Sequence, residues 1–292
     1  MPTLNEVKEQ MIVVQSVGSF TNALQQIATI NMIRLRDKVM ASRPFVEASN
    51  ELLKELIGLR NALTTDDLIK LEKKHSKTAS APPPDKRAVI VITSNQGLTG
   101  RYNIEIYQKI ETILEREKGA EYFIIGKKGQ EFFQTGHMKV TNYPYEVADT
   151  FTIADLQRLI RLFDYYSHIT LVYSRFINTA THEVVVLSVV TPVPEEPPLA
   201  KGEKREKKGK YIYEPDILQL IESISKKLRG ALFQQQILDA RLAQHSSQMI
   251  GMKTASDNAN NLLADLRVDY NKQRRKMIDK KISEVFAGSA LW

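Results

Sequence analysis

Apolar positions in the first sixty residues recur at helical spacing. They run through Leu4, Val7, Met11 and Val14, then Leu24, Ile27, Met32, Leu35 and Val39, and the stretch holds Gly only at 18 and 58 and Pro only at 2 and 44. Three- and four-residue steps with so few breakers predict one long helix over residues 1–62. The end of the chain has the same character. After Pro215 no further Pro occurs, and a stripe runs through Leu218, Ile221, Ile224, Leu228 and Leu232, then Leu262, Leu263, Leu266, Tyr270, Met277, Ile282 and Val285. A second long helix is predicted over 213–292. Uninterrupted, such helices would extend roughly 80 to 105 Å at 1.5 Å per residue. Helices of that length need a partner along the apolar stripe, and the other terminus can supply it as an antiparallel coiled coil. An irregular helical bundle would use the same residues. Gly18, Ser19, Thr21 and Asn22 interrupt the first stripe, and Ser246, Ser247, Ser256, Asn258 and Asn260 interrupt the second. A seam that is small and polar in places is expected.

Between the helices the period changes. AVIVITS (88–94), EYFIIG (121–126), HITLVYS (168–174) and EVVVLSVV (183–190) are short, β-branched apolar runs. The first three are separated by helix-compatible segments at 103–117 and 153–166, an alternation that predicts a Rossmann-like α/β domain with a largely parallel sheet at 87–192. A linker at 63–86, containing TASAPPPD, leads in, and a basic, Pro-rich connector at 193–212 leads out.

Composition narrows the chemistry. The chain has 292 residues, 42% of them hydrophobic, with 41 Lys plus Arg against 34 Asp plus Glu for a formal net charge of +7. That supports a real core, and the positive balance suits nucleic acid, an acidic protein or an anionic membrane. The absence of Cys excludes disulfides, thiolate metal sites and thiol nucleophiles. No run is long enough to cross a membrane as a helix. The five histidines, at 75, 137, 168, 182 and 245, follow no metal-binding spacing, GxSxG is absent, and no carboxylate pair stands out. No catalytic residue, metal or cofactor is expected.

Two loops invite a nucleotide. TSNQGLTGRYN (93–103) follows the first strand and carries Gly97 and Gly100, but lacks both GxGxxG and GxxxxGK[ST]. A strand-to-helix turn needing two glycines is the simpler reading. IGKKGQEFF (125–133) places Lys127 and Lys128 between glycines and reads equally well as a tight turn with solvated lysines. The run KGEKREKKGK (201–210) reads as a solvated loop. Near the end of the last helix Lys272, Arg275 and Lys276 share one side at i, i+3 and i+4, a geometry suited to an acidic protein surface or to a solvent-facing coiled-coil flank.

Longer blocks are more specific. MIGMKTASDNANNLLADLRVDYNKQRRKMIDKKISEVFAGSAL (249–291) resembles the C-terminal helix of the gamma subunit of F-type ATP synthases, and VITSNQGLTGRYN resembles that family's strand and loop. IGKKGQEFF, VYSRFINTATHEV and YIYEPD follow in the family's order, while TNALQQIA and ASRPFVEA are similar to its N-terminal helix.

The resemblance implies a non-catalytic rotor shaft. Its terminal helices would form a coiled coil inside a ring of three alpha and three beta subunits, with the α/β domain at the foot against an epsilon-type subunit and the ring of c subunits. It would lie peripherally on the cytoplasmic face of a bacterial membrane. Contacts with the alpha/beta ring are implied for Leu24, Arg274 and Arg275, and the tip from Phe286 through Leu291 to Trp292 would turn in the ring's apolar bearing. A stand-alone nucleotide-binding α/β protein, or a gamma-like shaft of another rotary ATPase, is the alternative. Departures are visible too. The family's Gln-Lys-Ile-Thr-Lys-Ala-Met segment is here GSFTNALQQ, without either lysine, which weakens the expected electrostatic contact with acidic beta loops.

Overall fold

The computed structural model describes residues 3–61, 86–117, 119–135, 142–145, 165–166, 168–188 and 217–289. In chain order the elements are α1 (Leu4–Asn61), β1 (Arg87–Ile92), α2 (Tyr102–Arg116), β2 (Glu121–Ile125), α3 (Lys127–Thr135), β3 (Asn142–Tyr145), β4 (His168–Phe176), β5 (His182–Ser188) and α4 (Ile217–Ser289). The Pro-rich run 78–85, most of the segment 153–166 and the connector at 193–212 lie outside the described residues, as do Leu291 and Trp292. The chain divides into two compact units. One is Met1–Met32 with His245–Trp292, the other Ile33–Gln244.

In the larger unit the sheet order is β3-β2-β1-β4-β5. The first four strands run parallel, and β5 turns back antiparallel to β4. β1 is central, with Ala88 between Glu121 and Ile169. Every residue of it after Arg87 is buried, which explains its unbroken apolar run. Ala88, Ile90 and Ile92 build one face with Phe123, Ile125, Ile169, Leu171 and Tyr173, covered by Phe233, Ile237 and Ala240 of α4. Val89, Val91, Ile124 and Val172 build the other, covered by Tyr102, Ile106, Ile110 and Ile113 of α2, by Phe133 of α3 and by Ala243 of α4. Farther along α1, Val46, Leu53 and Ile57 pack against Leu228, with Ile221, Ile224 and Leu232 around them. α1 continues through Pro44 without a break.

The structure adds two elements to the predicted pattern. IGKKGQEFF is no tight turn: it ends β2 and begins α3, whose Phe133 is buried while Phe132 stacks on Tyr107 at a 3.9 Å centroid distance. β3 is a four-residue edge strand containing Pro144, and an edge position tolerates the missing backbone donor.

In the smaller unit Thr3 and Glu6 form a capping box at the start of α1. The Thr3 amide donates to Glu6 Oε2 at 2.8 Å, and the Glu6 amide donates to Thr3 Oγ1 at 3.3 Å. Buried and half-buried positions then follow alternating steps of four and three: Val7, Met11, Val14, Gly18, Thr21, Gln25, Ala28 and Met32. On α4 the corresponding series is Met249, Met252, Ser256, Ala259, Leu263, Leu266, Tyr270 and Gln273. A cleft lined by Val14, Gly18 and Asn22 on one side and by Leu263, Ala259 and Ser256 on the other fixes the antiparallel sense. A Cβ on Gly18 would lie 3.4 Å from that of Ala259.

These series correct the predicted stripe. Gly18, Thr21 and Ser256 occupy seam positions and interrupt nothing; Ser19, Asn22 and Asn260 are exposed along the cleft between the helices, and Asn258 is exposed. Ile27, Leu262, Met277, Ile282 and Val285, counted in the stripes, are exposed. A two-helix seam repeats every 3.5 residues, so small residues in phase are buried and large ones a step out of phase are not.

Candidate partner-contact surface

The seam on α4 stops at Gln273, and every side chain from Arg274 to Ala287 is exposed. The last four turns of α4 therefore present Arg274, Arg275, Lys280 and Lys281 beside Met277, Ile278, Ile282, Val285 and Phe286, the last 71% exposed. Lys280 and Glu284 form an open i, i+4 ion pair at 3.8 Å. Of the residues expected to meet partners, Arg274, Arg275 and Phe286 are thus brought to one exposed helical segment. Leu24 sits half-buried on α1, one position before the seam residue Gln25.

Sequence reasoning missed a second surface on α1. Ile12, Val13, Val17, Phe20, Ile27 and Ile30 are all exposed, Val13 and Phe20 at 61% each. A signal for it was available: no Asp, Glu, Lys or Arg occurs between Glu9 and Arg34.

The carboxyl end of the parallel sheet is where an α/β fold would hold a nucleotide. Here it is filled by protein. Between Ala240 and Ala243, α4 passes from the core on one face of the sheet to the core on the other. The buried Tyr102 hydroxyl, at the start of α2, donates to the Ala240 carbonyl at 3.2 Å, and burial raises its pKa above the ordinary tyrosine value. The amides that open α3, the natural phosphate cradle, are already engaged. Lys127 N donates to Asn95 Oδ1 at 3.4 Å, Lys128 N to the Ser94 carbonyl at 3.1 Å, and Gly129 N to Thr93 Oγ1 at 3.1 Å. Asn103 Nδ2 closes the 93–103 loop on Ser94 Oγ at 2.7 Å. Lys128 Nζ pairs with Glu131 at 2.6 Å.

The glycines serve this packing. Gly126 has φ of 110°, and a Cβ there or on Gly129 would stand 2.5 Å from oxygen atoms of Thr93. The turn reading of the 93–103 loop is the one the geometry supports. Among the described residues no three His, Asp or Glu side chains gather as a metal site.

Residues 3–291 match the family described as ATP synthase. The chain belongs to this family. The ATP synthase gamma chain of Psychrobacter cryohalolentis is 30% identical over 305 residues, with 99% of each chain covered. That of Haemophilus influenzae strain PittEE is 27% identical over 304 residues, again with 99% of each covered. A chain from the central stalk and c-ring of the Tetrahymena thermophila mitochondrial ATP synthase superposes with a TM-score of 0.57 at 16% identity, over 81% of this chain and 99% of that one. A chain from the Euglena gracilis mitochondrial ATP synthase gives 0.53 at 12% identity, over 89% and 93%. At those identities the structural likeness concerns the fold: terminal helices around a central mixed sheet.

Proposed function

We propose that the chain is the central-stalk rotor subunit of a rotary F-type ATP synthase, passing torque between a membrane ion-driven ring and a catalytic alpha/beta ring. It contributes no catalytic residue of its own, and ATP is made or hydrolysed on its partners. The observation that carries this reading is a pair of terminal helices with a complete seam whose outer surfaces stay apolar and exposed. Such surfaces fit enclosure by other subunits. Arg274, Arg275, Phe286, Leu291, Trp292 and Leu24 would meet the alpha/beta ring. The central sheet domain would meet an epsilon-type subunit and the c-subunit ring, which places the chain peripherally, at the cytoplasmic face of a bacterial membrane.

The test is assembly. Tagged chain purified from its own cells should bring ATP-hydrolysing alpha and beta partners, and a chain ending at Gln273 should lose ATP-driven rotation in the complex. A chain that binds no such ring overturns the proposal. Labelled ATP should show no equilibrium binding to the isolated chain, because α4 and the loop residues occupy the crevice.

A further inference from the structure

In the larger unit α2 covers only part of its side of the sheet. Its buried residues Tyr102, Ile106, Ile110 and Ile113 pack on the core that holds Val89, Val91 and Val172. β5, at the edge of the sheet, turns Val184 and Val186 to the same side, since they stand opposite Ser174 and Val172 of β4. Val184 is half-buried, and Val186 is 39% exposed. Lys109, Thr112 and Arg116, all exposed, follow at steps of three and four along the flank of α2. Between that flank and the uncovered strip lies a cleft of about 610 Å³, lined by these three residues and by Ile113, Val184 and Val186. Sites for small molecules commonly enclose roughly 300–1,000 Å³.

The charges at this cleft do not cancel. Glu117 pairs with Arg87 at 3.5 Å, and Glu183 pairs with Arg175 at 3.1 Å, so each carboxylate on the lining already has an arginine. Lys109 and Arg116 have no ion-pair partner among the described residues. Thr112 Oγ1 donates to the Lys109 carbonyl at 2.7 Å. Two free cations thus stand over a floor of valines, with no free anion beside them.

We propose that the cleft between α2 and β5 binds an anionic amphiphile, with a phosphate or carboxylate headgroup between Lys109 and Arg116 and an aliphatic part on Val184 and Val186. The two cations leave the helix about 10 Å apart along its axis, and both side chains are long enough to close on one headgroup from opposite sides. The guanidinium can fork two of its oxygens. An inorganic anion would leave the valines in water, and a neutral alkyl chain would gain nothing from the cations. A nucleoside phosphate would lay polar base edges on the valines. The site lies wholly in the larger unit and does not depend on the rotor reading.

Calorimetric titration of the full chain with octyl phosphate, below its micelle concentration, tests this. Binding should saturate at one per chain and raise the thermal midpoint. Octyl glucoside and inorganic phosphate should each bind at least tenfold more weakly. The double substitution Lys109→Gln, Arg116→Gln should weaken octyl phosphate at least tenfold and Val186→Ser several-fold. Arg101→Gln, a cation outside the cleft, should leave binding unchanged. Equal helix content by circular dichroism keeps a folding defect from imitating these losses. Vesicles containing phosphatidylglycerol separate the sources: binding that the double-glutamine chain loses assigns a membrane lipid, and none assigns a free amphiphile. Absence of saturable octyl phosphate binding overturns the proposal, as does equal binding by the double-glutamine chain. If octyl phosphate fails to bind while the two glutamines weaken assembly with partner chains, the cleft receives an acidic protein surface instead.

Discussion

At the residue scale, two features make sharp demands on their surroundings. Asp239 of α4 is buried, and burial raises its pKa above the ordinary carboxylate value, against the opposing pull of Arg43 and Arg175. A raised folded-state pKa means that the folded chain holds the proton more tightly than the unfolded one. Stability contributed by this group therefore falls as pH climbs from the unfolded value of 3.8 through the folded one, and is constant above that. Asp239→Asn removes the penalty of a buried charge. Thermal melts above that window should show the variant at least as stable as the unsubstituted chain, and the difference should vanish below pH 3.8; a variant markedly less stable at neutral pH would mean that the two arginines outweigh burial.

Gly129 makes the opposite kind of demand, because a Cβ there would stand 2.5 Å from Thr93 Oγ1 and 2.8 Å from Ile124 Cγ2. Thr93 cannot move aside cheaply, since its hydroxyl donates to the Ile125 carbonyl at 2.9 Å and accepts from Gly129 N. Gly129→Ala should cost about 1–3 kcal/mol in urea unfolding, although alanine is the better helix former. An unchanged midpoint would show that the contact relaxes freely.

At the scale of elements, the central strands and both terminal helices were legible because each shows its period in strongly apolar residues. β1, β2, β4 and β5 fall where β-branched runs predict them, and α2 follows its i, i+4 isoleucines Ile106 and Ile110. α3 was not legible: its Gly129 and two lysines imitate a turn, and its helical identity depends on Phe133 reaching a core formed by other elements. β3 has no apolar alternation, and its strand character comes from pairing with β2. The seam was misread for the converse reason. Hydrophobicity marks Ile27, whereas the geometry selects phase, buries Thr21 and Ala28 and half-buries Gly18. Gly18 gives a test of that phase. Alanine there meets Ala259 at ordinary contact distance, so Gly18→Ala should stabilise α1 by up to about 1 kcal/mol through helix propensity. Gly18→Leu should force the helices apart at about 1–3 kcal/mol. If leucine proves as stable as alanine in denaturant melts, Gly18 does not face α4.

At the scale of the whole molecule, the smaller unit carries two exposed surfaces of different chemistry. One is the charge-free face of α1. The other is the end of α4 beyond Gln273, where Arg274, Arg275, Lys276, Lys280 and Lys281 outnumber Asp279 and Glu284. The first suits a partner that supports the shaft without gripping it at fixed points, since apolar contact has little directional preference. The second suits a partner that engages at defined positions, since guanidinium groups bond in a fixed fork. Arg274 is exposed and lies just past the last seam residue. Arg274→Ala should therefore change the isolated chain's stability by no more than about 0.5 kcal/mol. In the assembled complex it should lower ATP-driven ion pumping several-fold relative to ATP hydrolysis, because a point of engagement is lost while the chemistry on the ring continues. Arg274→Lys keeps the charge and loses the fork, so it should recover only part of the coupling. Full recovery by lysine would reduce the role of Arg274 to simple charge, and unchanged pumping in the alanine variant would remove Arg274 from the contact altogether.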